Sequence, residues 1–60
     1  MTPAELRDQM HRLDMTQADL AIAMGVSQAA VSRWLAGTRA ITLRTELQIE
    51  SLTRELLGGR

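Results

Sequence analysis

Apolar residues recur at helical spacing along the chain, and no stretch alternates with a period of two. Leu6, Met10 and Leu13 stand at i, i+4 and i+7, one stripe of a helix predicted over 3–13. Leu20 and Met24 repeat the spacing on a second helix, 17–24, which ends at Gly25. Glycine suits that place because a helix terminus often needs a left-handed residue and glycine has no Cβ to resist it. A third helix runs from 28 to about 36 and stops at Gly37. A short polar loop over 38–41 leads to a fourth and longer helix, 43–57, released by Gly58-Gly59. The pattern predicts one all-α domain over 1–60, with no strand, repeat, linker or low-complexity tract.

The helix starts carry their own signals. Thr2-Pro3-Ala4-Glu5 reads as a capping box with proline at the first helical position, where a missing N–H costs nothing. Thr16-Gln17-Ala18-Asp19 reads as a second box with Asp in place of Glu or Gln, flanked by Met15 and Leu20 as a hydrophobic staple. Ser27 is a third cap, stapled by Val26 and Val31, and Thr42 is a fourth. Each cap stabilises its helix by about 1 kcal/mol.

Gly25-Val26-Ser27 joins the second and third helices by a connection of the length a helix-turn-helix uses, so the motif is expected over 17–36. Counted from Gln17 as position one, Leu20, Met24, Val26, Val31 and Trp34 place apolar side chains at positions four, eight, ten, fifteen and eighteen. Ala21 stands at position five, where the helices cross closely, and Gly25 at position nine, where the chain turns with positive φ. On a helical wheel Val31, Trp34 and Leu35 gather on one side of the third helix. Ala29 and Arg33 lie opposite, flanked by Ser32 and Ala36, and Gln28 projects from the first turn. Small residues let a backbone sit deep in a DNA groove. A glutamine suits adenine N6/N7 and an arginine suits guanine O6/N7, each contributing about 1–3 kcal/mol of discrimination. Gln28, Ala29, Ser32 and Arg33 are therefore the candidate base contacts, with Ala29 placed for a thymine methyl.

Charge changes the picture by its distribution. Seven arginines balance seven acids, for a formal net charge of zero, which on its own argues against nucleic acid. Yet residues 20–45 hold Arg33, Arg39 and Arg44 and no acid, so the four remaining arginines face all seven acids elsewhere. The middle of the chain is locally basic, and local field is what counts because charges beyond a Debye length of about 8–10 Å are largely screened.

From Gln17-Ala18-Asp19-Leu20-Ala21 through Gly25-Val26-Ser27-Gln28-Ala29-Ala30-Val31-Ser32, the chain resembles the helix-turn-helix of lambdoid-phage repressor and Cro proteins. The run Val31-Ser32-Arg33-Trp34-Leu35-Ala36-Gly37, then Arg39-Ala40-Ile41, is similar to Cro-like prophage regulators, and the resemblance spans roughly 6–47. It implies a lambda-repressor-like domain of four to five helices. It also implies a homodimeric repressor, or an autorepressor of antitoxin or anti-CRISPR-associated type, that binds a pseudo-palindromic double-stranded DNA operator. By the same resemblance Gln17 contacts a phosphate from the start of the second helix, and Ser27, Thr38, Arg39 and Arg44 are further backbone contacts.

Two apolar arcs mark the fourth helix: Leu43, Leu47 and Leu57 on one, Ile49, Leu52 and Leu56 on the other. A helix on a single small core needs one stripe, so the second predicts a partner. Ile49, Leu52 and Leu56 are expected to form a homodimer interface, setting two recognition helices about 34–36 Å apart. The competing arrangement wraps both arcs into one intramolecular core. Related repressors often break this helix and add a fifth, whereas no glycine or proline interrupts 43–57 here.

The remaining classes are narrowed by what the residues permit. The chain has no cysteine and one histidine, His11, set among Asp8 and Asp14 as a surface charge cluster, so no cofactor, ordinary zinc site or catalysis is expected. Its longest apolar run, Leu20-Ala21-Ile22-Ala23-Met24, falls far short of the roughly 18 residues a membrane helix needs, and a cytoplasmic location is expected. No small-molecule substrate is evident. The alternative function is a protein-interaction module of the same fold that does not bind DNA.

Overall fold

The computed structural model describes residues 1–58 and folds them into four α-helices, with no strand among the described residues. They are α1 (Pro3–Leu13), α2 (Gln17–Met24), α3 (Gln28–Ala36) and α4 (Leu43–Thr53). A π-helical segment, Arg54–Gly58, continues α4.

Each helix begins on the predicted cap. The Thr2 hydroxyl accepts from the Glu5 N–H at 3.1 Å while the Glu5 carboxylate accepts from the Thr2 N–H at 2.7 Å. The aspartate version of this box works as well: Asp19 N–H donates to Thr16 Oγ1 at 3.1 Å, and Thr16 N–H donates to Asp19 Oδ2 at 3.0 Å. Ser27 accepts from Ala30 N–H and Thr42 from Thr45 N–H. These bonds satisfy amides that no earlier turn can reach.

The first three helices also end alike. Met15, Val26 and Thr38 each donate their N–H to the carbonyl five residues back, on Met10, Ala21 and Arg33. The residue before each is left-handed: Asp14 at φ 54°, Gly25 at 71° and Gly37 at 78°. This is the Schellman closure, which satisfies carbonyls that a helix otherwise leaves unpaired. Met15 and Val26 then turn back onto the core.

That core is Leu6 and Met10 of α1, Leu20, Ala21 and Met24 of α2, Ala30, Val31 and Trp34 of α3, and Ile49 of α4. Met1, Met15, Val26, Leu35, Ile41 and Leu52 pack against it. Leu6, Leu20, Val31 and Ile49 are fully buried, and burying a side chain of this size stabilises the fold by about 1.5–3 kcal/mol.

The fourth helix departs from expectation in two respects. It keeps an α register only to Thr53, and a wider register carries Arg54–Gly58. The Thr53 hydroxyl points back to the Ile49 carbonyl at 2.9 Å, within 3.3 Å of Gln9 Oε1. It thus engages an acceptor of the α ladder just before the register widens. Gly59, expected to help release this helix, lies outside the described residues.

The second departure concerns its faces. Ile49 and Leu52, expected at a homodimer interface, serve the chain's own core: Ile49 is 0 % exposed and Leu52 packs beside it. Leu56, from the same arc, is exposed in the π-helical segment, beyond the reach of that core. The arc left toward solvent is that of Leu43, 70 % exposed, and Leu47, 55 % exposed. Three ties fix which arc turns inward. Gln48 Nε2 donates to the Met24 carbonyl at 3.2 Å, Thr53 approaches Gln9, and the Met1 amine donates to Glu46 Oε1 at 2.9 Å.

Candidate nucleic-acid interface

The rotation of α3 follows from what it buries. Ala30, Val31 and Trp34 enter the core and Leu35 packs at its edge. That choice turns Gln28, Ala29, Ser32 and Arg33 outward together, and all four are exposed. The face predicted for base contact is therefore present as one surface: small at Ala29 and Ser32, long and polar at Gln28 and Arg33. Ala30, not singled out by the wheel, joins the core at the crossing with α2.

Around that face the predicted backbone-contact residues take different positions. Gln17 is the first residue of α2 and is half-buried. Ser27 is exposed, and its hydroxyl oxygen is the acceptor for Ala30 N–H, so its own proton is available to an outside acceptor. Arg39 and Arg44 are exposed. Among the described residues the ion pair is that of the Met1 amine with Glu46, so Arg33, Arg39 and Arg44 are not held by carboxylates.

Thr38, also expected at a phosphate, is exposed and closes the end of α3. Its N–H at 3.0 Å and its hydroxyl at 3.3 Å both donate to the Arg33 carbonyl, joined by the Arg39 N–H at 3.3 Å. Both donors of Thr38 thus close the last turn of α3 and brace the backbone of Arg33.

The turn between α2 and α3 depends on Gly25, where a Cβ would meet no atom within 4 Å and only the positive φ selects glycine. On the other side of the turn Gln48 holds the end of α2 from α4. The sequence carried no signal for Gln48, because a solvent-side glutamine and one that bridges helices look alike along the chain.

A helix-turn-helix family model matches residues 4–54, nearly the whole chain. The chain belongs to the helix-turn-helix family. Its members of this repressor and Cro type are DNA-binding regulators, and the all-helical, lambda-repressor-like arrangement described above is theirs. The helix-turn-helix lies in α2 and α3, inside the matched span, with α1 and α4 as its supports. Neither a curated protein nor a solved structure matches the chain. Among the described residues no helix is long and apolar enough to cross a membrane.

Proposed function

We propose that this helix-turn-helix regulator is a homodimeric repressor that reads a pseudo-palindromic operator through the major groove. The observation that carries the proposal is the exposed face of α3. Gln28 and Arg33 stand beside the small Ala29 and Ser32, in a stretch of chain without a single acid. Gln28 hydrogen-bonds an adenine edge and Arg33 a guanine edge, Ala29 meets a thymine methyl, and Ser32 lets the helix approach closely. Gln17, Ser27, Thr38, Arg39 and Arg44 contact phosphates and set the register of the helix on the duplex. A second copy covers the outward arc of α4, where Leu43 and Leu47 are exposed. Leucines left exposed on one face of a helix favour a partner there.

The zero net charge favours the rival reading, a protein-interaction module of the same fold. An interaction surface on α3 would carry large apolar side chains, and this face has none. Selection of bound duplexes from random DNA, followed by titration across salt, separates the two. Arg33→Ala is expected to relax preference at one base pair in each half-site, whereas Arg39→Ala weakens every sequence alike. Absence of any selected consensus, or binding that ignores salt, would sink the repressor reading.

A further inference from the structure

A cleft of about 440 Å³ opens where the C-terminal half of α1, the turn after it and the start of α2 meet α3. Its floor is Met10, Met15 and Leu35, side chains that belong to the core or pack against it. Its rim carries Arg7 and His11, one turn apart on α1, then Asp14 and finally Gln17 at the head of α2. Arg7 and His11 are exposed, and neither forms an ion pair among the described residues. Two donor side chains of α1 therefore share one depression with the glutamine set against a phosphate above.

We propose that the DNA footprint continues past Gln17 onto α1, with Arg7 and His11 donating to the sugar-phosphate backbone across this cleft. The inference rests on the DNA-binding reading and widens it, since the basic surface then extends beyond residues 20–45. Arg7 supplies a forked guanidinium and His11 a ring N–H, which it has in either protonation state. The cleft is open and its donors face solvent. Small-molecule sites enclose about 70–90 % of their ligand, whereas a phosphate backbone needs only outward donors along a surface.

Asp14 gives the proposal a sign. Its carboxylate shares the rim and repels any phosphate held there. It sits at φ 54°, a conformation asparagine adopts readily, so Asp14→Asn removes the charge and leaves the turn intact.

The test uses the full chain and duplex DNA, titrated between about 50 and 200 mM salt, with thermal unfolding of each variant to confirm the fold. Arg7→Gln is expected to lower the slope of log K against log salt by about 0.9 and to weaken random and selected duplexes by the same factor. His11→Ala weakens both duplexes alike. Asp14→Asn tightens binding about twofold at low salt, an advantage that shrinks as salt rises. Arg12→Gln, exposed on the same helix and outside the cleft, leaves the slope near wild type.

Equal effects of Arg7→Gln and Arg12→Gln, or no tightening by Asp14→Asn, overturn the extension. If Arg39→Ala weakens binding while Arg7→Gln does not, the α1 contact fails alone and the DNA-binding reading stands. If wild type binds no duplex, both fail. Millimolar hexanoate that shifts the amide resonances of Arg7, His11 and Gln17, with Arg7→Gln leaving the DNA slope unchanged, assigns the cleft to a small organic anion and also overturns it.

Discussion

Gln48 of α4 donates through Nε2 to the carbonyl oxygen of Met24, 3.2 Å away, in the last turn of α2. That carbonyl is among the four a helix cannot satisfy at its own C-terminus. The bond spans 24 residues of sequence and braces the turn from which the recognition helix departs. Gln48→Ala removes it and is expected to cost about 0.5–1.5 kcal/mol, read as a lower denaturation midpoint at unchanged slope. Hydrogen exchange at Gly25 and Val26 should accelerate in the same variant. An unchanged midpoint would show that water serves the Met24 carbonyl equally well.

Asp19 links the start of α2 to pH. Its carboxylate accepts the Thr16 N–H, and this bond, followed by the one with the Thr16 side chain, holds its pKa below the usual aspartate value. A folded-state pKa below the unfolded one means that the contribution is present in full above the unfolded value, about 3.9. It is then lost as pH falls through the lowered folded value. Asp19→Asn should therefore lower stability most in the neutral region and hardly at all below the folded value, which flattens the acid limb of a stability-against-pH curve. Identical acid limbs would place the acid sensitivity elsewhere.

The two arcs of α4 predict opposite phenotypes. Ile49 is fully enclosed, so Ile49→Ala removes buried volume and is expected to cost about 2–5 kcal/mol, enough to unfold much of a domain this small. Ile49→Val, at about 0.5–1.5 kcal/mol, is the milder probe. Leu47→Glu should leave thermal unfolding of the dilute chain nearly unchanged, because Leu47 is 55 % exposed. By sedimentation, however, it should shift a dimer toward monomer. If Leu47→Glu leaves association intact, the copy-to-copy contact lies off this arc.

Much of the fold was legible because its signals are local. Thr2, Thr16, Ser27 and Thr42 start helices by bonding amides three residues ahead, and Gly25 and Gly37 end them, so the bounds of α1, α2 and α3 match the expected spans. Asp14 reaches the same left-handed state as those glycines without announcing it, since aspartate is common in many conformations. The inward arc of α4 was not legible. Leu43 and Leu47 are as apolar as Ile49 and Leu52, and the choice between them is made by Gln48, Thr53 and Glu46 through partners more than 20 residues away. The candidate face of α3 was readable because Val31 and Trp34 fix its rotation. The helix-closing bond of Thr38 was not legible, since a hydroxyl that closes a helix and one that meets a phosphate look alike in sequence.

Thr38 also yields the closest test of how the recognition helix is terminated. The Arg33 carbonyl receives the Thr38 N–H, the Thr38 hydroxyl and the Arg39 N–H, so the residue that presents the outward guanidinium is held at its own backbone. Thr38→Val keeps the shape and the N–H but deletes the hydroxyl, and should cost no more than about 1 kcal/mol because the bond is exposed. Thr38→Ser restores the donor and should return stability toward wild type. The informative readout is binding. If the hydroxyl only closes the helix, Thr38→Val leaves the salt slope unchanged and loosens base preference at the position read by Arg33. A slope reduced by about one unit would mean that the hydroxyl turns outward to a phosphate when DNA is present, and its place at the helix end would then be confined to the free protein.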